Sequence, residues 1–123
     1  MEKALGFGGF FFRSEDPKGL ATWYEMHLGI AQVPNDYDTP AWQQAAGTTV
    51  FAPFDKTTDY FGDDKKQFML NFRVADLEAM IAQLEAAGIK VKRDPEIHPY
   101  GRFARLVDPE GNPIELWQPA PEQ

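Results

Sequence analysis

The chain has 123 residues, 43% of them hydrophobic, which is enough for one domain with its own core and too little for two ordinary domains. Its formal net charge of −7 disfavours nucleic acid and anionic membrane surfaces as partners, because phosphate-binding proteins are normally basic. No cysteine is present, which excludes disulfides, thiolate catalysis and cysteine-type zinc sites and is compatible with a reducing cytoplasm. The N-terminal apolar stretch is too short to span a bilayer and is not followed by a clear cleavage site, so we expect a cytoplasmic protein without a signal peptide.

The first half of the sequence predicts a strand, a helix and a further strand. Residues 7–13 are aromatic-rich and favour a strand. Asp16 and Pro17 are typical of a helix start, with the Asp as N-cap, and Gly29 stands where a C-cap glycine belongs. Residues 48–53 are rich in strand formers and predict another strand.

The second half repeats this order with a clearer ending. Asp76 can cap a helix that Gly88 ends. The turn formers at 108–113 predict a hairpin between the last two strands. The strands predicted in this half are 68–74, 90–92, 103–107 and 114–118.

The two halves share a motif. Phe-Arg-x-x-Asp occurs at 12–16 and again at 72–76, about 60 residues apart, and each copy precedes an amphipathic helix and a Gly-Ile pair. We therefore expect one domain over the whole chain, built from module one at about 5–54, a polar linker at about 55–66 and module two at about 67–119.

In this order, the motifs resemble the vicinal-oxygen-chelate superfamily, which includes glyoxalases, bleomycin-resistance proteins and dioxygenases. The most specific of them is the run Asp-Pro-Glu-Gly-Asn-Pro-Ile-Glu-Leu at 108–116, and Asp16-Pro17, the Trp23-Tyr24 pair and the run at 72–77 accompany it. The resemblance implies an α+β fold in which two tandem βαβββ modules form a curved mixed sheet around a cleft. It also implies a homodimer, in which a second chain covers sheet edges.

Side-chain alternation assigns each strand a core face, packed on a helix, and a cleft face. The first strand is assigned from the repeat. The core face is predicted to carry Phe10, Phe12, Leu70, Phe72, Val74, Ile114 and Leu116. The cleft face is predicted to carry Gly9, Phe11, Arg13, Met69, Asn71, Arg73, Glu115 and Trp117.

The metal site that the resemblance implies is mostly missing. Metal-dependent members hold a divalent ion with His, Gln or Glu from the first and fifth strands and a carboxylate from the eighth. The matching positions here are Gly9, Met69 and Glu115, and residues 50–54 add no ligand. Glycine has no side chain and a thioether is a poor ligand for a hard ion, so we expect no metal and no other cofactor, with a divalent metal as the alternative. His27 and His98 are expected at the surface, although His98 could lean over the cleft mouth.

The cleft is expected to bind a small molecule. Aromatic walls with a few polar groups are typical of such sites, and Trp42, Tyr100 and the Tyr60-Phe61 segment are further wall candidates. Converging arginines could hold a carboxylate or phosphate, unless each pairs with a neighbouring acidic side chain. The ligand-binding residues we predict are Phe11, Arg13, Phe51, Met69, Asn71, Arg73, Phe103, Arg105 and Trp117.

Three functions remain open, and the sequence does not decide whether the protein is an enzyme. The first is a metal-free protein that binds a small aromatic or anionic molecule, as bleomycin-resistance proteins do. The second is a metal-dependent lyase, isomerase or dioxygenase of the glyoxalase type. The third is a metal-independent enzyme with Glu115 as general base, since partial burial beside Trp117 would raise the pKa of this carboxyl group.

Overall fold

The second half of the chain forms a four-stranded mixed sheet in the computed structural model, which describes residues 1–121. The strands are β1 (Leu70–Arg73), β2 (Lys92–Arg93), β3 (Gly101–Val107) and β4 (Pro113–Pro119). Their order across the sheet is β1-β4-β3-β2, with β1 parallel to β4 and the other neighbours antiparallel. The α+β class with a mixed sheet is therefore confirmed, and so is the hairpin at 108–113.

Both predicted helices form, and both begin at the predicted caps. Helix α1 spans Pro17–Leu28 and helix α2 spans Leu77–Ala86. The Asp16 and Asp76 carboxylates each accept a hydrogen bond from a backbone N–H in the first turn of their helix, which satisfies donors that have no partner within the helix. Helix α1 ends at Gly29, whose φ of 70° is left-handed and favours glycine. Among residues 1–121, no helix has the length and apolar character needed to cross a membrane.

The core lies between the helices and one face of the sheet. Ile114 and Leu116 of β4 are fully buried, and Leu70, Phe72 and Val74 pack against the same cluster. The predicted core face of the second module is therefore confirmed. The other core residues come from α1, α2 and β3: Leu20, Tyr24, Leu77, Ile81, Leu84, Ala104 and Leu106.

The hairpin turn joins the sheet to α1 through the buried carboxylate of Asp108. One carboxylate oxygen accepts the backbone N–H groups of Glu110 and Asn112 at 2.8 and 3.0 Å, which closes the turn. The other accepts the Asn112 side-chain amide at 2.8 Å and the Tyr24 hydroxyl at 2.6 Å. Burial and then the hydrogen bond to Asp108 raise the pKa of Tyr24, so its hydroxyl keeps its proton and remains a donor.

Glu110, two residues further, binds the segment that leads into α1. Its carboxylate accepts the Ser14 hydroxyl at 2.7 Å and the backbone N–H groups of Glu15 and Asp16 at 2.9 and 3.2 Å. The hydrogen bond from Ser14 is the largest cause of a lowered Glu110 pKa. The most specific motif of the sequence therefore connects the helix of module one to the hairpin of module two.

The strands predicted in the first half do not form. Residues 1–16 and 29–69 contain no strand, so the predictions at 7–13 and 48–53 are wrong. Alternation can assign side chains to faces, but a strand exists only where a neighbouring strand completes its hydrogen bonds, and within residues 1–121 neither segment has one. The division into modules at 5–54 and 67–119 stays a prediction.

Phe10 and Phe12 were predicted in the core and lie outside it. They are 49% and 36% exposed, and their rings contact each other and the ring of Phe68. The physical reason is the missing strand, because a segment that is not paired into the sheet has no face held against a helix.

We predict that Tyr24→Phe destabilises the protein by about 1.5–3 kcal/mol, since it removes a buried hydrogen bond to a charged acceptor and keeps the ring. Urea unfolding followed by circular dichroism measures this as a lower midpoint at unchanged slope. The matched control is Tyr37→Phe, at a tyrosine that is fully exposed. Equal midpoints for the two variants would show that the contact between Tyr24 and Asp108 does not hold α1 in place.

Candidate functional site

A cavity of about 1130 Å³ lies along the edge of β1. Asn71 and Arg73 line it from the cleft face of that strand, and Phe72 and Val74 line it from the core face. The cavity thus follows the edge of β1 that, within residues 1–121, has no neighbouring strand. Residues from the first half of the chain also line it, including Trp42 and Phe54.

Glu115 is the charged centre of the cleft face. The pairing of strands aligns it with Asn71 on one side and Arg105 on the other. One Glu115 carboxylate oxygen accepts the Asn71 side-chain amide at 2.7 Å, and the other accepts the Tyr60 hydroxyl at 2.5 Å. The residue is only 6% exposed, so both oxygens find in the protein the donors that water would otherwise supply.

Tyr60 lies in the linker predicted at 55–66 and contacts Glu115 and Arg105 in the row Asn71–Glu115–Arg105. The guanidinium carbon of Arg105 lies 4.0 Å from the centre of the Tyr60 ring, a cation–π arrangement. Arg105 also donates to the Tyr60 carbonyl oxygen and lies 3.0 Å from the Met69 sulfur. Burial and then the hydrogen bond to Glu115 raise the pKa of Tyr60 to about 12, so the phenol is neutral at physiological pH.

A second row on the same face is aromatic. Phe103 pairs with Trp117 across the hairpin, and their rings are parallel within 2° with centres 6.2 Å apart. The Trp117 indole N–H donates to the Tyr100 carbonyl oxygen at 2.9 Å, which holds the indole in place. The cleft face therefore carries two adjacent rows. The polar row is Asn71–Glu115–Arg105, and the aromatic row is Phe103–Trp117.

His98 borders the aromatic row at the loop before β3. Its ring is stacked on Tyr100 at 5.2 Å and meets the edge of Phe103 at 5.7 Å. Its Nε2 lies 3.0 Å from an Asp94 carboxylate oxygen, and this hydrogen bond is the main cause of a raised His98 pKa. His98 is not among the residues that line the cavity.

Arg73 holds part of the cavity wall together. Its guanidinium donates to the carbonyl oxygens of Ala45 and Ala46 at 2.8 and 3.3 Å. These bonds connect β1 to a stretch that has no regular secondary structure. Arg73 therefore contributes to the shape of the cavity as well as to its charge.

The structure brings some of the predicted site residues together and leaves others apart. Those that line the cavity are Met69, Asn71, Arg73, Glu115 and Trp117. Phe103 and Arg105 lie beside them on the sheet. Phe11 and Phe51 are 92% and 79% exposed, and neither they nor Arg13 line the cavity. A binding role for each of these residues stays a prediction.

Sequence reasoning missed the direct contact of Tyr60 with Glu115. The only available signal was an aromatic pair, Tyr60 and Phe61, inside an otherwise polar segment. Aromatic residues in a polar segment often pack against another part of the fold, but the sequence does not show which residues they contact.

The donor set does not fit the metal centre that relatives of this fold can carry. Glu115 is a suitable ligand, but both of its oxygens accept hydrogen bonds, and the Met69 sulfur contacts the cationic Arg105. Residues 1–121 contain no group of three or more His, Asp or Glu side chains placed to share a metal ion. A hard divalent ion needs several oxygen or imidazole ligands, so these side chains are suited to bind a hydrogen-bonding group and poorly suited to bind a metal.

The fold and the site define a class: a small α+β protein with a mixed sheet, one face of which forms a polar and aromatic cleft. A family model for a glyoxalase-like domain matches residues 9–117. The chain therefore belongs to the glyoxalase-like domain family, as its resemblance to the vicinal-oxygen-chelate superfamily predicts.

Solved structures show the same fold at low sequence identity. TnmS3, an antibiotic-binding protein from Streptomyces sp. CB03234, is 24% identical over 87% of this chain and 88% of its own, with a TM-score of 0.56. A glyoxalase/bleomycin resistance protein/dioxygenase superfamily member from Sphaerobacter thermophilus is 22% identical over 86% and 90%, with a TM-score of 0.53. These likenesses concern the fold alone.

A shorter match has higher identity. A glyoxalase/bleomycin resistance protein from Streptomyces sp. CB03234 is 41% identical over 40% of this chain. The match spans 42% of that protein, with a TM-score of 0.36, which is too small a share to bear on function. No curated protein matches the chain significantly.

Proposed function

We propose that the protein binds a small aromatic or anionic molecule in its cleft, without a metal ion and without chemistry. The observation that carries this proposal is the row Asn71–Glu115–Arg105 beside the stacked rings of Phe103 and Trp117. This combination of a few oriented polar groups with aromatic surface is the usual form of a small-molecule site. The solved antibiotic-binding protein of the same fold is consistent with it. We also propose a cytoplasmic location, on the absence of cysteine.

Binding should depend on the Trp117 indole. We predict that Trp117→Leu weakens binding of two- and three-ring aromatic compounds about 3- to 10-fold, because the variant loses the aromatic face and keeps an apolar side chain. Isothermal titration calorimetry with a panel of neutral and carboxylated aromatic compounds measures this.

The matched control for this experiment is Trp23→Leu. It also removes one indole, but from α1 and away from the cavity wall. Circular dichroism spectra in the amide region establish that both variants are folded. If no member of the panel binds the unchanged protein, the small-molecule proposal fails, and equal losses in the two variants would place binding elsewhere.

The cleft should not bind a divalent metal ion tightly. We expect no near-stoichiometric binding when Mn, Fe, Ni or Zn ions are titrated into chelator-stripped protein, because Glu115 is the only side chain at the family's ligand positions that suits them. Elemental analysis of the purified protein independently measures how much metal is bound per chain. Near-stoichiometric metal that Glu115→Ala removes would contradict the proposal and would favour a lyase, isomerase or dioxygenase of the glyoxalase type.

We propose further that the protein is a homodimer. Two observations support this: one edge of β1 has no neighbouring strand in the part of the chain that the structure describes, and large apolar side chains are exposed in the first half of the chain. Natural proteins cover both kinds of surface. The exposed side chains include Leu5, Phe7, Phe11, Val33, Val50 and Phe51.

Sedimentation equilibrium tests the dimer. We expect twice the chain mass of 13.9 kDa, and we expect Phe51→Lys to shift the equilibrium towards the monomer because it places a charge among apolar side chains. Ile97→Lys, at an exposed apolar residue of the second half of the chain, should leave the dimer intact. A monomer at all concentrations would contradict the proposal.

A further inference from the structure

Tyr60 occupies the polar row of the cleft as a bound phenol would. Its hydroxyl donates to Glu115 at 2.5 Å, and Arg105 lies over the face of its ring. The ring is also stacked on Phe54, with centres 5.6 Å apart and planes 27° apart. The Tyr60 hydroxyl and the Tyr60 ring are therefore each in contact with groups that suit them.

The segment that carries Tyr60 is closed by its own turns and is joined to the rest of the fold by backbone and lysine contacts, the hydrogen bond from Arg105 to the Tyr60 carbonyl oxygen and those from Lys66 to the hairpin turn. Backbone hydrogen bonds close three of these turns, from Thr58 to Asp55, from Gly62 to Asp59 and from Lys66 to Asp63. The Asp55 side chain adds two bonds from Thr57. These bonds do not involve the Tyr60 side chain, which is 41% exposed. The Tyr60 side chain can therefore rotate away from Glu115 while these backbone hydrogen bonds stay in place.

Glu115 defines which chemical group can take the place of that hydroxyl. A carboxylate accepts hydrogen bonds and cannot donate them. One of its oxygens is already bound by Asn71, so the other, now bound by Tyr60, is the one that a ligand would use. A neutral donor suits this position, whereas a carboxylate or phosphate placed there would be repelled by the charge of Glu115.

Arg105 favours a ligand whose hydrogen-bond donor is attached to an aromatic ring. A guanidinium group over the face of a ring is attracted by its π electrons, and an aliphatic alcohol would lose this contact. The adjoining rings of Phe103 and Trp117 extend the surface on which a larger aromatic system could lie.

We propose that Glu115, Asn71 and Arg105 form a receptor for an aromatic hydroxyl group, and that Tyr60 is an internal phenol that a hydroxyaromatic ligand must displace. This inference rests on the proposed small-molecule function and narrows its ligand to neutral hydroxyaromatic compounds. The apparent affinity of the protein for a ligand equals the affinity of the free site multiplied by the fraction of time that the internal competitor leaves the site free. Removing the Tyr60 side chain therefore strengthens ligand binding, although it deletes aromatic surface.

The test uses two probes that differ in one group, 2-naphthol and its methyl ether 2-methoxynaphthalene. The ether keeps the rings and loses the O–H donor. We expect Tyr60→Ala to bind 2-naphthol about tenfold more tightly than the unchanged protein does. In this variant we also expect a preference for 2-naphthol over the ether of more than about tenfold, because a site with a buried acceptor rejects a ligand that cannot donate. Calorimetric titration measures both ratios.

Two further variants complete the experiment. Adding Glu115→Gln to Tyr60→Ala should remove most of the preference for 2-naphthol over the ether, since the charged acceptor is lost. Tyr37→Ala removes an exposed tyrosine and should bind both probes as the unchanged protein does. If Tyr60→Ala does not fold by circular dichroism, Tyr60→Phe replaces it, because it removes only the hydroxyl and should still bind 2-naphthol more tightly than the unchanged protein.

Equal affinity of the folded Tyr60 variant for the two probes would overturn the hydroxyl receptor and leave aromatic binding in the cleft standing. Binding of 2-naphthol that is weaker than in the unchanged protein would overturn the role of Tyr60 as a competitor. Failure to bind either probe would also overturn the inference. In that case the broader panel and the Trp117→Leu comparison decide separately whether the cleft binds any small molecule.

Discussion

The hydrogen bonds of the Asp108 carboxylate hold the two halves of this protein together. This one side chain closes the hairpin turn between β3 and β4 and also accepts the hydroxyl of Tyr24 from α1. A buried carboxylate is costly unless donors surround it, and here four donors do so. Because Glu110 binds the start of the same helix, α1 is positioned by the turn that also begins the central strand of the site.

That central strand, β4, serves the core and the cleft at once. Ile114 and Leu116 point into the core, while Glu115 and Trp117 between and beyond them point the other way. The two-residue period of a strand makes this division unavoidable, and a shift of one residue would exchange the two sets. The well-packed core therefore keeps Glu115 and Trp117 in register with Asn71, Arg105 and Phe103 on the neighbouring strands.

The motif that identifies the superfamily has a structural role over most of its length. Asp108 and Glu110 are used for the turn and for α1, and only Glu115 reaches the cleft. The resemblance predicts further metal ligands at the positions of Gly9 and Met69, where this chain offers no side chain that suits a hard divalent ion. The Glu115 carboxylate is surrounded by hydrogen-bond donors, which explains how it can stay buried on a strand.

The sequence by itself determined the features that depend on neighbours in the chain. Asp16 and Asp76 cap their helices, the turn formers at 108–113 make the hairpin, and alternation places Glu115 and Trp117 opposite Ile114 and Leu116. Only the tertiary structure decided which distant groups meet. The bond from Tyr60 to Glu115 spans 55 positions, and no local period predicts it. The same reason explains why residues 7–13 and 48–53, which have the composition of strands, are not strands here: composition favours an extended chain, but a neighbouring edge must be present to complete it.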